Sequence, residues 1–363
     1  YTVKTYGFAA TLLDKGFFQM TSESNRQILL VSRPTGEPKE SDFDIVEKAI
    51  PVPGKNEVLC KTIYLSLDPY MRGRMNDVKT YAEPVPLGGV MEGGTVSRVV
   101  SSNYDGLATD DIVVARTGWL DYAVVPGPDL RKVDPTIAPI STAVGVLGMP
   151  GMTAYTGLLN IGNPQPGETV LVAAASGAVG SVVGQIAKIK GCKVVGIAGS
   201  SEKCTYVVNE LGFDACINHR DTNFAEQLSD KCSNGIDVYF ENVGGKVWQA
   251  VIPLLNMFSR VPVCGMISHY NATSLPEGPN RLPELMFRIL THRVTLRGFI
   301  VRDYDDQLDD FLSDTSTWIK EGKINFREDI VDGLEKAPSA LIGLLKGNNF
   351  GKLSVRVSPD PTT

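Results

Sequence analysis

Histidine is nearly missing from this chain of 363 residues, which holds three: His219, His269 and His292. None stands at ligand spacing from a cysteine. The six cysteines, Cys60, Cys192, Cys204, Cys216, Cys232 and Cys264, include no C-x-x-C pair. That pattern speaks against a zinc knuckle and a disulfide framework, and it fits reduced thiols in a cytoplasm. Basic residues are outnumbered, 35 Lys and Arg against 41 Asp and Glu, and a net charge of −6 disfavours nucleic acid as a partner. No apolar run approaches the roughly 18 to 20 residues of a membrane span. The apolar stretch at 170–175 stops at Ser176 and Gly177, so no membrane association is expected.

What is present is an ordinary globular composition: 43% hydrophobic and 21% charged residues exclude disordered and fibrous classes. At about 150 residues per domain, the length suits two domains. Residues 1–19 carry neither a basic segment ahead of an apolar stretch nor a small-residue cleavage site, and they precede Met20; they are read as a leader or upstream extension outside the fold. From 20 to 150 short apolar bursts, as at 27–32, 57–67, 94–100 and 111–116, are punctuated by Pro and Gly, the rhythm of a small antiparallel barrel or sandwich. From 151 to 302 strands alternate with helices: strand 168–175, helix 177–191, strand 193–199, strand 214–219, helix 223–232, strand 236–243, helix 245–255, strand 260–267, helix 282–292, strand 294–301. Such alternation predicts a doubly wound parallel sheet of the Rossmann type. The remainder, 303–363, breaks the alternation and is expected to return to the β-rich domain.

The loop Ser176-Gly177-Ala178-Val179-Gly180 follows the first of these strands and opens the first helix. Gly177 would admit a pyrophosphate close to the backbone, and Gly180 would let the helix pack tightly on the sheet. A dinucleotide site is therefore expected. After the second strand come Ser200, Ser201, Glu202 and Lys203. Glu202 is the carboxylate an NAD site would use, whereas the hydroxyls and Lys203 suit a 2′-phosphate; NADP(H) is favoured, with a solvated Lys203 as the alternative.

Five segments in order, YLSLDPYMRGRM at 64–75, AASGAVG at 174–180, FENVGG at 240–245, CGMISHYN at 264–271 and GNNFGK at 347–352, resemble the zinc-independent medium-chain dehydrogenase/reductases. The likeness spans 26–357 and is to the prostaglandin reductase and leukotriene dehydrogenase branch, nearest the bacterial NADPH-dependent curcumin reductases. It implies a Rossmann domain joined to a GroES-like barrel, a homodimer, and NADPH-dependent reduction of the C=C bond of α,β-unsaturated ketones, curcumin-like dienones and 15-oxo-prostaglandin-like enones among them. A quinone reductase of the same superfamily and a non-catalytic NADPH-binding sensor are the alternatives. Where zinc-dependent relatives carry Gly-His-Glu this chain has Val90-Met91-Glu92, and where they carry a catalytic cysteine it has Ser66 ahead of Asp68; no metal is expected.

By motif, the resemblance implies cofactor contacts at Gly177, Ala178, Val179 and Gly180 for the pyrophosphate and Lys203 for the 2′-phosphate. Asn242 is implied on the nicotinamide side, with Cys264, Gly265, Ile267, Ser268, Tyr270, Phe299, Ile300, Val301 and Asn349 completing the site. His219 stands where several relatives have tyrosine, which predicts pH-dependent NADPH binding, with Arg220 beside it. Without zinc, the carbonyl oxygen must be met by an O–H or N–H donor. Tyr64 and Tyr270 are the expected catalytic donors, since a phenol stays protonated at neutral pH. Met91, Thr117, Gly118, Trp119 and Tyr122 are expected to line the substrate pocket, with Lys79 and Tyr81 left open.

Overall fold

The computed structural model describes residues 24–276 and 278–363; the expected leader at 1–19 lies outside them. The chain begins with β1 (Asn25–Leu30), β2 (Phe43–Lys48), β3 (Glu57–Ser66), α1 (Tyr70–Arg74), β4 (Thr95–Ser102), β5 (Ile112–Ala115), β6 (Tyr122–Pro126) and β7 (Arg131–Lys132). After α2 (Met149–Thr156) come β8 (Thr169–Val172), α3 (Gly180–Ile189), β9 (Lys193–Ala198), α4 (Ser201–Asn209), β10 (Ala215–Asn218), α5 (Phe224–Lys231) and β11 (Ile236–Phe240). Then follow α6 (Gly245–Val251), β12 (Leu255–Val263), α7 (Leu282–His292), β13 (Thr295–Gly298), α8 (Leu308–Lys320), β14 (Glu328–Asp332), α9 (Ala337–Leu345) and β15 (Lys352–Arg356). Among the described residues no helix is long and apolar enough to cross a membrane.

The middle of the chain forms a six-stranded sheet in the order β10-β9-β8-β11-β12-β13, every pair parallel. Order reverses between β8 and β11, so the crevice beyond their carboxyl ends is where this architecture binds ligands. β8 is buried throughout because alternate side chains feed two cores: Val170 and Val172 pack with Val182, Val183 and Ile186 of α3, while Leu171 packs with Leu228 of α5 and Val247 of α6.

The other sheet runs β14-β15-β3-β4-β5-β7, with β6 also on β3. β3 is its spine. One side pairs with β4; the other is shared, β6 taking Glu57 to Lys61 and β15 taking Tyr64 to Ser66. The tail thus closes the barrel, though its return begins later than residue 303. α8 packs into the dinucleotide core, with the Phe311 ring edge-on to Tyr155 of α2 at 5.8 Å and the Tyr155 hydroxyl donating to Asp314 at 2.8 Å. Several sequence ranges also shift: β8 stops at Val172, α3 starts at Gly180 and β11 stops at Phe240; α6 ends at Val251, before the turn holding Pro253; β12 starts at Leu255; and β13 stops at Gly298.

Candidate functional site

A cavity of about 480 Å³ lies beyond the carboxyl ends of β8, β9, β11 and β12, against α1, α2, α9 and the start of β15. Its phosphate end is built by the turn after β8. Ala174 adopts left-handed φ (+52°), and a Cβ on Gly180 would sit 2.3 Å from the Ala174 carbonyl oxygen, so α3 can start here only with glycine. Gly177 differs: its nearest obstacle is 3.2 Å away, and its bare face fronts the cavity. No side chain caps α3, and the Ser181, Val182 and Val183 N–H groups bond the Gly177 and Val179 carbonyls, so an anion here meets the glycine turn and the positive end of the helix dipole. Gly177 also bridges Gly351 of the returning tail.

Next to this loop is a cationic seat. Ser200 caps α4 by accepting from the Lys203 N–H at 3.2 Å, and the Lys203 ammonium donates to the Gly347 carbonyl at 2.8 Å. His219 and Arg220 close on Gly199, where an added Cβ would stand 3.4 Å from the imidazole and 3.9 Å from the guanidinium. Burial and then Arg220 hold both Lys203 and His219 below their usual pKa values. Glu202 does not line the cavity, whose one acidic wall residue is Asp68. A lysine and an arginine gathered here, with Asp329 and Glu202 only partly offsetting them at Lys203, fit a 2′-phosphate better than ribose hydroxyls.

On the nicotinamide side, Asn242 donates to the Ala173 carbonyl at 2.8 Å. Its loop is held from beneath by the buried Glu241 carboxylate, which accepts the N–H groups of Val243 (2.6 Å) and Gly244 (2.9 Å); burial raises the Glu241 pKa. Ser268 donates to the Val243 carbonyl at 2.6 Å, and burial pushes the Cys264 thiol up to about 12. Every residue named above as an expected cofactor contact lines this cavity: Gly177, Ala178, Val179, Gly180, Lys203, His219, Asn242, Cys264, Gly265, Ile267, Ser268, Tyr270, Phe299, Ile300, Val301 and Asn349.

The expected donors divide. Tyr270 lines the cavity; its hydroxyl accepts the Met266 N–H at 3.4 Å, and burial raises its pKa, which keeps the proton on. Tyr64 does not line it. It points into the barrel core, donates to Asp360 at 2.9 Å and is pushed up to about 12 by burial, so it is a structural group and the expectation is corrected. Tyr70 and Tyr81 face the cavity instead. The Arg74 guanidinium, ion-paired to Glu92 at 2.7 Å, lies 4.3 Å from the Tyr81 ring centre and 5.8 Å from that of Tyr70. Tyr70 stood in the 64–75 motif six residues beyond Tyr64, but nothing in the motif marks which tyrosine faces inward.

The expected substrate walls are also barrel core. Trp119 stacks on Phe43 at 5.6 Å, Met91 is fully buried, Thr117 bonds Thr95 at 2.8 Å, and neither Gly118 nor Tyr122 reaches the cavity. Lys79 pairs with Glu83 instead. Met149, Pro150, Ile300 and Leu344 line the cavity in their place. Among the described residues no three His, Cys, Asp or Glu side chains converge. Ser66 donates to Asp68, whose other oxygen takes the buried Lys352 ammonium at 3.0 Å, and this donor set does not fit zinc.

The sequence matches two family descriptions, "N-terminal domain of oxidoreductase" over residues 26–133 and "Zinc-binding dehydrogenase" over 178–316. It is 54% identical to the NADPH-dependent curcumin reductase of Escherichia coli (strain K12) over 339 residues, 93% of this chain and 98% of that protein. It is 43% identical over 327 residues to prostaglandin reductase 1 of Rattus norvegicus, 88% of this chain and 95% of that one. The crystal structure of CurA in complex with NADPH from Vibrio vulnificus superposes with a TM-score of 0.89 at 53% identity, covering 92% of this chain and 100% of that one.

Proposed function

Because the chain belongs to the medium-chain dehydrogenase/reductase family, we propose that its cavity carries out the NADPH-dependent reduction of the C=C bond of α,β-unsaturated ketones. The single observation that carries this reading is one cavity holding an anion-binding glycine turn, a basic seat of Lys203, Arg220 and His219, and undissociated phenols along an apolar wall. Gly177 to Gly180 and the start of α3 hold the pyrophosphate, Lys203, His219 and Arg220 the 2′-phosphate, and Asn242 with Cys264 and Ser268 the nicotinamide end. When bound, NADPH supplies the hydride that the substrate's β-carbon receives.

The residues of the chain deal with the charge that then develops on the carbonyl oxygen. A phenolic O–H from Tyr270 or Tyr81 donates to that oxygen and is strongest where it is needed, on the enolate. Arg74, beside Tyr81, works against the burial that raises the Tyr81 pKa and so makes that O–H a better donor. Met149, Pro150, Ile300 and Leu344 exclude water and favour extended conjugated ketones of the dienone and oxo-prostaglandin kind. NADPH oxidation followed with enones, quinones and saturated ketones tests the reading: turnover restricted to enones is expected, and turnover of saturated ketones or of quinones alone overturns it.

The working unit is a homodimer across β13. This strand ends the sheet, and around it Met257, Phe258, Phe287 and Leu290 are 61, 62, 67 and 72% exposed, a patch that a second copy covers by extending the sheet. A monomer mass in light scattering refutes it. Six unbridged thiols support a cytoplasmic location as part of this reading.

A further inference from the structure

Two thiols meet behind the cationic seat. Cys204 stands in the first turn of α4, next to Lys203, and Cys216 lies on β10, three residues before His219. Their sulfurs are 3.1 Å apart, with Cys216 donating to Cys204. Both are half-buried, within reach of small solutes, whereas Cys60, Cys192 and Cys232 are buried. Neither side chain of the pair lines the cavity. Cys216 pairs in register with Gly196 of β9, and its sulfur occupies the space that a Cβ there would need, 3.2 Å away. A disulfide requires about 2.05 Å between sulfurs, and roughly 1 Å of approach completes it.

We propose that Cys204 and Cys216 are an oxidation site, closing to a reversible disulfide under hydroperoxides and thereby loosening the grip on the 2′-phosphate. The Cys204 sulfur attacks the near oxygen of the peroxide; the O–O bond breaks, and the thiol proton leaves with the departing oxygen as water or an alcohol. The resulting sulfenic sulfur is attacked by Cys216, an S–S bond forms, and hydroxide departs with the Cys216 proton as water. Two electrons pass from the sulfurs to the O–O bond. The hydrogen bond from Cys216 pulls the Cys204 pKa down and so favours Cys204, the residue nearer the helix start, as the attacking sulfur.

Closure draws the first turn of α4 towards β10. Lys203 moves with it, and its ammonium, 2.8 Å from the Gly347 carbonyl, shifts relative to the tail that forms the other side of the seat. The loss of NADPH affinity rests on reading this cluster as the phosphate seat; the disulfide itself does not. The full-length protein is treated with hydrogen peroxide, blocked with iodoacetamide, digested and mapped, and the KM for NADPH is measured before and after dithiothreitol. A peptide joining Cys204 to Cys216 is expected. With it the KM for NADPH rises roughly three- to tenfold, less than the roughly 10- to 150-fold that outright loss of a charge-assisted hydrogen bond costs, because Lys203 is displaced and not removed. The kcat at saturating NADPH holds, dithiothreitol restores the KM, and C204S and C216S lose the response. Six alkylatable thiols after peroxide overturn the site, and a linked peptide with unchanged KM overturns its coupling to NADPH. The preference of the reduced enzyme for NADPH over NADH tests the seat separately.

Discussion

Replacing Lys203 by alanine is the sharpest probe of the cofactor reading. The ammonium is partly buried, is held below its ordinary pKa by burial and by Arg220, and has a backbone carbonyl, not a carboxylate, as its hydrogen-bond partner. Asp329 and Glu202 act on it only as weaker influences than burial and Arg220, and a 2′-phosphate would add a directly bonded counter-charge. Hydrogen bonds to charged groups contribute about 1.5–3 kcal/mol, which is roughly a 10- to 150-fold loss of NADPH affinity on deletion. NADH, with no phosphate to lose, should bind the variant as it binds the parent. Fluorescence titration of both cofactors, with steady-state kcat/KM on one enone, reads the two numbers. If NADPH and NADH weaken together, or the NADPH:NADH ratio stays within twofold of the parent, Lys203 is a structural tether for Gly347 and the phosphate seat is elsewhere.

The tyrosines give a matched comparison. Tyr270→Phe and Tyr81→Phe should lower kcat for an enone by roughly 10- to 1,000-fold with the KM for NADPH little changed, whereas Tyr64→Phe should leave kcat intact and cost about 1–3 kcal/mol in a urea melt by removing one of the hydrogen bonds that Asp360 accepts. For His219 the sign follows from its lowered pKa: the imidazole is neutral at pH 8, a bound phosphate favours its protonation, and NADPH affinity therefore rises as pH falls from 8 towards 6. Below about 6 protonation of the cofactor phosphate opposes the effect. Dissociation constants flat across that range in both the parent and His219→Phe would remove the histidine from the site. Gly180→Ala puts a methyl 2.3 Å from the Ala174 carbonyl oxygen; a loss of about 1–3 kcal/mol with poor NADPH binding is expected, and an unchanged Tm contradicts the packing argument.

The parallel sheet is legible in the sequence because β8 is apolar on both faces and α3 places Val182, Val183 and Ile186 on one stripe, two periods that cannot be confused. The glycine turn is legible for a related reason: only Gly fits where Gly180 meets Ala174. The tail is harder to read. In α8, Phe311 and Leu308 are equally suited to either domain, and contact with Tyr155, 156 residues earlier, decides the matter. Which tyrosine faces the cavity is hard to read for a similar reason. Tyr64 and Tyr70 share one motif, but β3 carries the first into the core, and the short helix α1 turns the second towards the cavity. Tyr81 lies in a loop without periodicity, and its place is set by Arg74.

The sharing of one side of β3 has a consequence for how the protein is made. β6 covers its first half as soon as residue 126 has been added, but the half from Tyr64 to Ser66 waits for β15. Throughout that interval the ribosome is delivering the whole dinucleotide domain, which can fold on local contacts as an inserted unit. The barrel meanwhile presents an unpaired edge at Tyr64 to Ser66, open to other nascent chains. The Gly177 to Gly351 bridge forms only in the same final step. The cavity wall made by Asn349, Gly351 and Leu353 and the cover over the β3 edge then arrive together, and a chain stalled before residue 351 has neither in full.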